Sequence, residues 1–219
     1  YLSFTTILPS VTNPIVFIGH RLLQHQFFYD SYQRIVGGTA YREKIVQGLA
    51  EEDKPVYLDL GCGTATIAST LQKKIQYIGI DNSINYLKKA QQQNPHHQFL
   101  NQNLGQDGWS RGLPSISSVM ASGLGILHHL NDGEVTQFLR NCRAVLDEDS
   151  TLFTVDPVIT DGSTRIAKWF ANNDRGKFLR SPKELEKFFR NLGFDLKIEV
   201  KTKQFRIPLD TVEITARPN

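Results

Sequence analysis

The sequence is short of several things, and each shortage removes a class of protein. Only two of its 219 residues are cysteine, Cys62 and Cys142. That excludes a disulfide framework and a four-thiolate zinc site, and it fits reduced thiols in a cytoplasmic protein. No run of 18 apolar residues exists, so nothing reads as a membrane span. Residues 1–18 are apolar, but Pro9 and Pro14 interrupt them and no basic segment precedes them. The chain begins at Tyr1 rather than Met, so a leader removed upstream stays open. Neither sign of charge dominates: 25 Lys and Arg stand against 22 Asp and Glu, a formal +3. Nucleic-acid binders concentrate their basic residues in a stripe. The densest basic run here, Lys197, Lys201, Lys203 and Arg206, stands among strand-like residues. It reads as an exposed sheet edge, where charge deters pairing; RNA contact is the alternative. There is no internal repeat and no low-complexity tract.

What is present is ordinary for a globular protein, with 40% hydrophobic and 21% charged residues. The length suggests one domain, or one domain with an appended cap. Residues 15–36 place Ile15, Phe17, Leu22, Leu23, Phe27, Phe28, Tyr32 and Ile35 at helical spacings, ending at Gly37-Gly38. A second helix is predicted from about Thr39 to Ala50. Then the pattern changes to short apolar strands alternating with helices. Predicted strands are 56–60, 75–81, 98–101, 118–122 and 151–155. Between them lie a helix packing Ile67, Ala68 and Leu71, a helix capped by Asn82 or Ser83 that buries Ile84, Leu87 and Ala90, and a helix opened by the capping box Asn131-x-x-Glu134. This alternation predicts a parallel sheet covered on both faces. A second capping box, Ser181 to Glu184, has Pro182 at the first helical position. Two final strands, about 195–203 and 206–216, form a hairpin that makes the last pair antiparallel. Residues 159–180 form the one long irregular stretch.

Ligands of such sheets bind beyond the carboxyl ends of the strands, where the strand order reverses. The loop after the first strand reads Asp59-Leu60-Gly61-Cys62-Gly63-Thr64. Its glycines let backbone approach a ligand closely, and Asp59 suits a cationic ammonium better than a phosphate. A dinucleotide fingerprint needs a glycine where Thr66 stands, and a P-loop needs a Gly-Lys-Ser/Thr end. Asp81, 18 residues after Gly63, ends the second strand, where an acid accepts from both ribose hydroxyls. The pocket therefore asks for a nucleoside carrying an amino-acid cation and no phosphate, a description that S-adenosylmethionine fits.

Here the chain resembles the class I S-adenosylmethionine-dependent methyltransferases. The resemblance rests on residues 56–64 and 77–83, on Gly125-Ile126-Leu127-His128-His129-Leu130-Asn131-Asp132 and on Cys142-Arg143-Ala144-Val145-Leu146. It implies a doubly wound, mostly parallel seven-stranded α/β sheet with the last strand antiparallel and helices on both faces. It also implies an N-terminal helical lid over residues 1–52 and a methyltransferase-like domain over 53–219. The cofactor it implies is S-adenosyl-L-methionine. Asp59, Gly61, Cys62 and Gly63 would meet its methionine part and Asp81 the ribose. Asn82, Asn103, Leu104 and Ser122 complete the expected cofactor contacts. Asn103 stands where the family often has an acid, and Glu148-Asp149 replaces a common Gly-Gly.

His128 and His129 follow the fourth strand and are the candidate general bases, since imidazole titrates near neutrality. Packing, or a bond to a backbone carbonyl, is the plainer role for either. After the fourth strand Ala121-Ser122-Gly123-Leu124 replaces the motif of nucleobase amino methylation, and the Cys after Pro required for cytosine C5 methylation is absent. Tyr29, Tyr32 and Gln33 in the lid and Arg175 in the long loop are the expected substrate contacts, with core packing or solvation as the alternatives. The expectation is an S-adenosylmethionine-dependent enzyme methylating oxygen or nitrogen of a small-molecule metabolite in the cytoplasm, with no metal, no membrane and no nucleic-acid partner. An RNA or protein side-chain methyltransferase, or a cofactor-binding module that transfers nothing, are the rivals. The oligomeric state is open.

Overall fold

The computed structural model describes residues 38–50, 54–71, 74–113, 117–160, 162–163, 178–202, 204 and 210–219. The predicted helix at 15–36, the lid residues Tyr29, Tyr32 and Gln33, and Arg175 lie outside the described residues. Helix α1 runs over Gly38–Ala50. Strands follow at β1 Val56–Leu60, β2 Gln76–Asp81, β3 Gln98–Asn101, β4 Val119–Leu124 and β5 Thr151–Val158. Helix α2, Ile84–Gln93, joins β2 to β3; helix α3, Asp132–Val145, joins β4 to β5. Helix α4, Pro182–Asn191, leads into β6, Phe194–Lys201, and β7, Asp210–Pro218, follows. One seven-stranded sheet has the order β3-β2-β1-β4-β5-β7-β6. β1, β2, β3, β4 and β5 pair in parallel, and β7 runs antiparallel to both β5 and β6.

The local signals fall where the sequence places them. Asn131 and Ser181 each close a complete capping box, with Glu134 and Glu184 as the reciprocal partners. Ser83, rather than Asn82, caps α2. β1 and β4 are buried along their whole length, as strands covered on both faces must be. One core cluster packs α3 and α4 on the sheet through Val135, Phe138, Leu139, Leu185 and Phe189. The other packs α1 and α2 on the opposite face through Val46, Leu49, Tyr57, Tyr77 and Ala90. β6 is an edge, and Lys197 and Lys201 on it pair with Glu199.

Three expectations need correction. The helix predicted after β1 is a single 3-10 turn, Ala68–Thr70; Ile67 and Ala68 are still buried, but at the start of that turn. Ile84 stands 52% exposed, because α2 turns only Leu87 and Ala90 to the sheet. Ser118 lies outside β4 at φ 59°, so that strand starts one residue later than predicted and continues to Leu124. The hairpin prediction holds in direction, with β6 ending at Lys201 and β7 beginning at Asp210.

Arg180 ties the chain before α4 to the loop after β4. Its Nη1 donates to Leu127 O at 2.9 Å, and its Nη2 donates to Leu130 O and Asp132 Oδ1, each at 2.7 Å. The side chain is buried while Asp132 is exposed, so the carbonyl bonds matter more than the ion pair. Arg180→Met should lower unfolding free energy by about 2–4 kcal/mol, because it strands buried carbonyls. Lysine should restore only part of this, since one ammonium cannot reproduce the guanidinium fork. Urea denaturation of the two variants checks both statements.

Candidate active site

The strand order reverses between β1 and β4, so the crevice opens beyond their carboxyl ends. The loop leaving β1 turns tightly there. Gly61 N and Cys62 N both donate to Ile80 O, at 2.8 and 3.0 Å. Gly61 and Gly63 have φ of 83° and 55°, a region that costs an ordinary residue roughly 1–2 kcal/mol. Ala65 occupies the same region at φ 53°. A methyl group on Gly63 would meet nothing within 4 Å. That open backbone face is the cradle a ligand needs. Asp81 braces the loop: Gly63 N donates to its Oδ2 at 2.9 Å and Ser83 N to its Oδ1 at 2.8 Å. Each carboxylate oxygen keeps further lone-pair capacity, and the side chain is half-buried, so ribose hydroxyls can still be accepted.

Asp59 is set deeper. It is 4% exposed, and Tyr77 Oη donates to its Oδ2 at 2.6 Å. Burial pushes its carboxyl up to about 6, the Tyr77 hydroxyl and Arg42 pull it down, and Asp81 adds to the rise. An acid raised in the folded state is most favourable to folding while protonated. Its contribution to stability is therefore complete below about pH 4 and is lost as pH rises to about 6, by roughly 3 kcal/mol. Asp59→Asn should flatten the stability–pH curve over that window, as read by urea titration from pH 4 to 7.

Arg42, which the motif reading passes over, completes this charge pattern. Its Nη2 donates to Leu124 O at 3.0 Å. A methyl group on Gly125 would lie 3.4 Å from Arg42 Nη2 and 3.5 Å from His128 Cε1. Gly125 is thus the floor between the guanidinium and the imidazole. The sequence does carry a signal. Arg42 lies four residues before Val46 and seven before Leu49, a cation on the stripe that α1 buries.

His128 is buried, and Asp156 holds it twice. Asp156 Oδ1 lies 2.8 Å from His128 Nδ1 and accepts from His128 N at 3.0 Å. Asp156 Oδ2 is buried with no hydrogen-bond partner among the described residues. The His129 side chain is exposed, its ring 4.1 Å from that of His128. In the sequence Asp156 is legible only as a strand end, yet an acid within the apolar run of β5 is itself a signal.

The remaining expected contacts divide. Asn82 is exposed beside Asp81. Asn103 is half-buried, with Oδ1 accepting from Gly105 N at 3.0 Å. Leu104 sends its side chain into the core, which leaves only its backbone for an adenosine. Ser122 is fully buried and accepts from Tyr57 Oη at 2.8 Å, so its hydroxyl is committed inside the sheet. Burial, with Asp59 and Asp81 nearby, pushes the Cys62 thiol far up, so it is no nucleophile. Among the described residues no cluster of His, Cys, Asp and Glu could hold a metal, and no helix is long and apolar enough to cross a membrane.

Sheet order, glycine loop and the acid of β2 define a Rossmann-like methyltransferase fold. Residues 58–149 match the family described as a methyltransferase domain. That match gives the chain a methyltransferase domain and supports an enzyme. No curated protein matches its sequence. Among solved structures it is similar to a SAM-dependent methyltransferase from Archaeoglobus fulgidus, 14% identical with a TM-score of 0.68 over 88% of this chain and 100% of that one. It is also similar to the magnesium protoporphyrin IX methyltransferase ChlM from Synechocystis PCC 6803 with bound SAH, 17% identical with a TM-score of 0.62 over 93% and 99%. A third, the [4+2]-cyclase SpnF, is 15% identical with a TM-score of 0.63 over 80% and 81%. At these identities the likeness is one of fold, and SpnF shows that the fold alone does not fix the chemistry.

Proposed function

We propose that this chain transfers the methyl group of S-adenosylmethionine to an oxygen or nitrogen of a small-molecule acceptor, with His128 receiving the acceptor's proton. The grip of Asp156 on His128 carries this reading. A carboxylate at Nδ1 favours the tautomer protonated there, which makes Nε2 the basic atom, and it stabilises the imidazolium formed on proton transfer.

The residues at the crevice suit the cofactor. Asp59 opposite Arg42 offers an anion and a cation for the two ends of an amino acid, and the backbone beside Gly63 leaves room for it. Asp81 accepts from the ribose hydroxyls, and Asn82 and Asn103 flank the adenosine. When bound, S-adenosylmethionine supplies an electrophilic methyl group on a sulfonium. The chain's own work is to hold the acceptor about 3–3.5 Å from that methyl, exclude water and take the proton. Because the Asp59 carboxyl is pushed up to about 6, cofactor affinity should rise between about pH 5 and 7.

Residues 1–37 would close the crevice, with Tyr29, Tyr32 and Gln33 facing the acceptor, and Arg175 would approach from the other side. The described residues next to both segments support this. α1 begins beside the crevice, where Tyr41 Oη donates to Glu213 and Arg42 reaches Leu124. Ser163 and Phe178, which flank residues 164–177, stand at the same rim. Ser163 Oγ donates to Asp210 Oδ2 at 3.0 Å, and Phe178 N donates to His128 O at 3.1 Å.

The test offers methyl-labelled S-adenosylmethionine with three acceptor pools: small metabolites, total RNA and denatured protein. Label in the metabolite fraction, lost in His128→Gln, is the expected result. Label in RNA or protein overturns the acceptor class. Cofactor binding without transfer to any pool would reduce the chain to a binding module.

A further inference from the structure

A second cavity, of about 730 Å³, lies at the opposite end of the strands from the candidate active site. Its walls include Lys74, Gln76, Tyr77, His96, His97 and Gln98, with no acid among the described lining residues. The sequence around it is strongly one-sided. Between Leu60 and Gln106 the only acid is Asp81, against Lys73, Lys74, Lys88, Lys89, His96 and His97. Asp81 is at the far end of β2, engaged with Gly63 and Ser83.

Topology leaves room for this cavity. Parallel strands are usually joined by a crossover helix that covers the sheet. Between β1 and β2 the only helical element among the described residues is the 3-10 turn Ala68–Thr70. The chain around the cavity is held in shape. Gln91 Nε2 donates to Pro95 O at 3.2 Å and to His97 O at 3.4 Å, and His97 N donates to Asn94 O at 3.2 Å. The His97 ring leans on Tyr77 with centroids 5.4 Å apart. The His97 ring is thereby fixed, and the exposed His96 is its neighbour in the chain. Burial and the neighbouring His96 hold the His97 imidazole below its usual range, so near neutral pH it offers a neutral ring with one N–H donor. Tyr77 also separates the cavity from the cofactor seat, since its ring is a wall here while its hydroxyl bonds Asp59.

We infer that this cavity is a second ligand site, for a phosphate group, with Lys74 supplying charge and His96, His97, Gln76 and Gln98 supplying imidazole and amide N–H donors. A lining of one ammonium with imidazole and amide N–H groups suits an oxyanion better than an apolar or cationic ligand. The site is independent of methyl transfer and would stand if the acceptor assignment failed.

The test uses the full chain, isotope-labelled and saturated with S-adenosylhomocysteine to block the crevice. Inorganic phosphate is titrated in at constant ionic strength and followed by NMR. Saturable shifts at Gln76, His96, His97 and Gln98 with a dissociation constant below about 1 mM are expected. Lys74→Gln with His96→Gln should weaken binding by about tenfold or more, with S-adenosylhomocysteine affinity unchanged. AMP in place of phosphate distinguishes the source. Tighter binding of AMP than of phosphate means a nucleotide, and equal binding means the free ion. Shifts that grow without saturation, that chloride reproduces, or that survive the double substitution overturn the site.

Discussion

Asp156→Asn is expected to slow methyl transfer by about 10²–10⁴-fold while S-adenosylhomocysteine still binds within about twofold. The reasoning starts from one oxygen. Asp156 Oδ1 takes both the backbone N–H of His128 and the ring nitrogen Nδ1. Two donors converging there require an acceptor, so the amide oxygen of the substituted side chain should occupy the same place and keep the ring orientation. What disappears is the charge. The imidazolium formed as His128 takes a proton would then sit buried beside a neutral amide, and forming it becomes costly. The rate falls for that reason, and the pH at which it falls away on acidification should move down. A purely structural role predicts a lower melting temperature with an unshifted pH profile. Should the Asp156→Asn variant keep both kcat and its pH dependence unchanged, Asp156 does not position a base. His128→Gln should lose a similar factor, and combining the two changes should cost little more than either alone, because the pair acts as one unit.

Much of this architecture can be read from the chain because its signals are local. Asn131 with Glu134, and Ser181 with Glu184, carry their own hydrogen-bond partners three residues away, so no distant contact decides them. The apolar runs of β1 and β4 are buried on both faces, and periodicity alone shows that. A mostly parallel sheet with an antiparallel end follows from alternation plus a terminal hairpin, whereas the insertion of β7 between β5 and β6 does not. What fails is less local. Ile67, Ala68 and Leu71 have helical spacing, but a crossover needs only to reach the next strand, and tertiary packing accepts a 3-10 turn. Ile84 looks like a core residue when hydrophobicity is read without its helical phase. Ser122 is expected at the cofactor through its position near the end of β4, and only the lateral reach of Tyr57 from β1 reveals its commitment. Arg42, Asp156 and Arg180 escape for the same reason. Each is defined by a partner some 28–82 residues away, Asp156 to His128, Arg180 to Leu127 and Leu130, and Arg42 to Leu124. A single sequence carries no record of such pairs. Their one visible trace is a charged residue inside an apolar pattern.

Asp81→Ala should weaken S-adenosylmethionine binding by about 10²–10³-fold, the loss expected for two hydrogen bonds to a charged acceptor at about 1.5–3 kcal/mol each, discounted because ribose regains bonds to water. Part of the loss is indirect. Gly63 N and Ser83 N both donate to this carboxylate, so alanine also frees the loop that presents the open backbone face and loosens the first turn of α2. Asparagine separates the two contributions. It can keep one backbone donor satisfied but must turn an N–H₂ toward the other, or toward the ribose, so its affinity should fall nearly as far while the fold changes less. Asp81 is half-buried, and the fold itself should lose only about 1–2 kcal/mol, leaving a folded protein for titration calorimetry. If alanine costs less than about threefold in affinity, the nucleoside is not held at the end of β2. The charge logic that separates this crevice from a phosphate-binding one then fails with it, because an acid at that strand end and an acid two residues before the first glycine were its only supports.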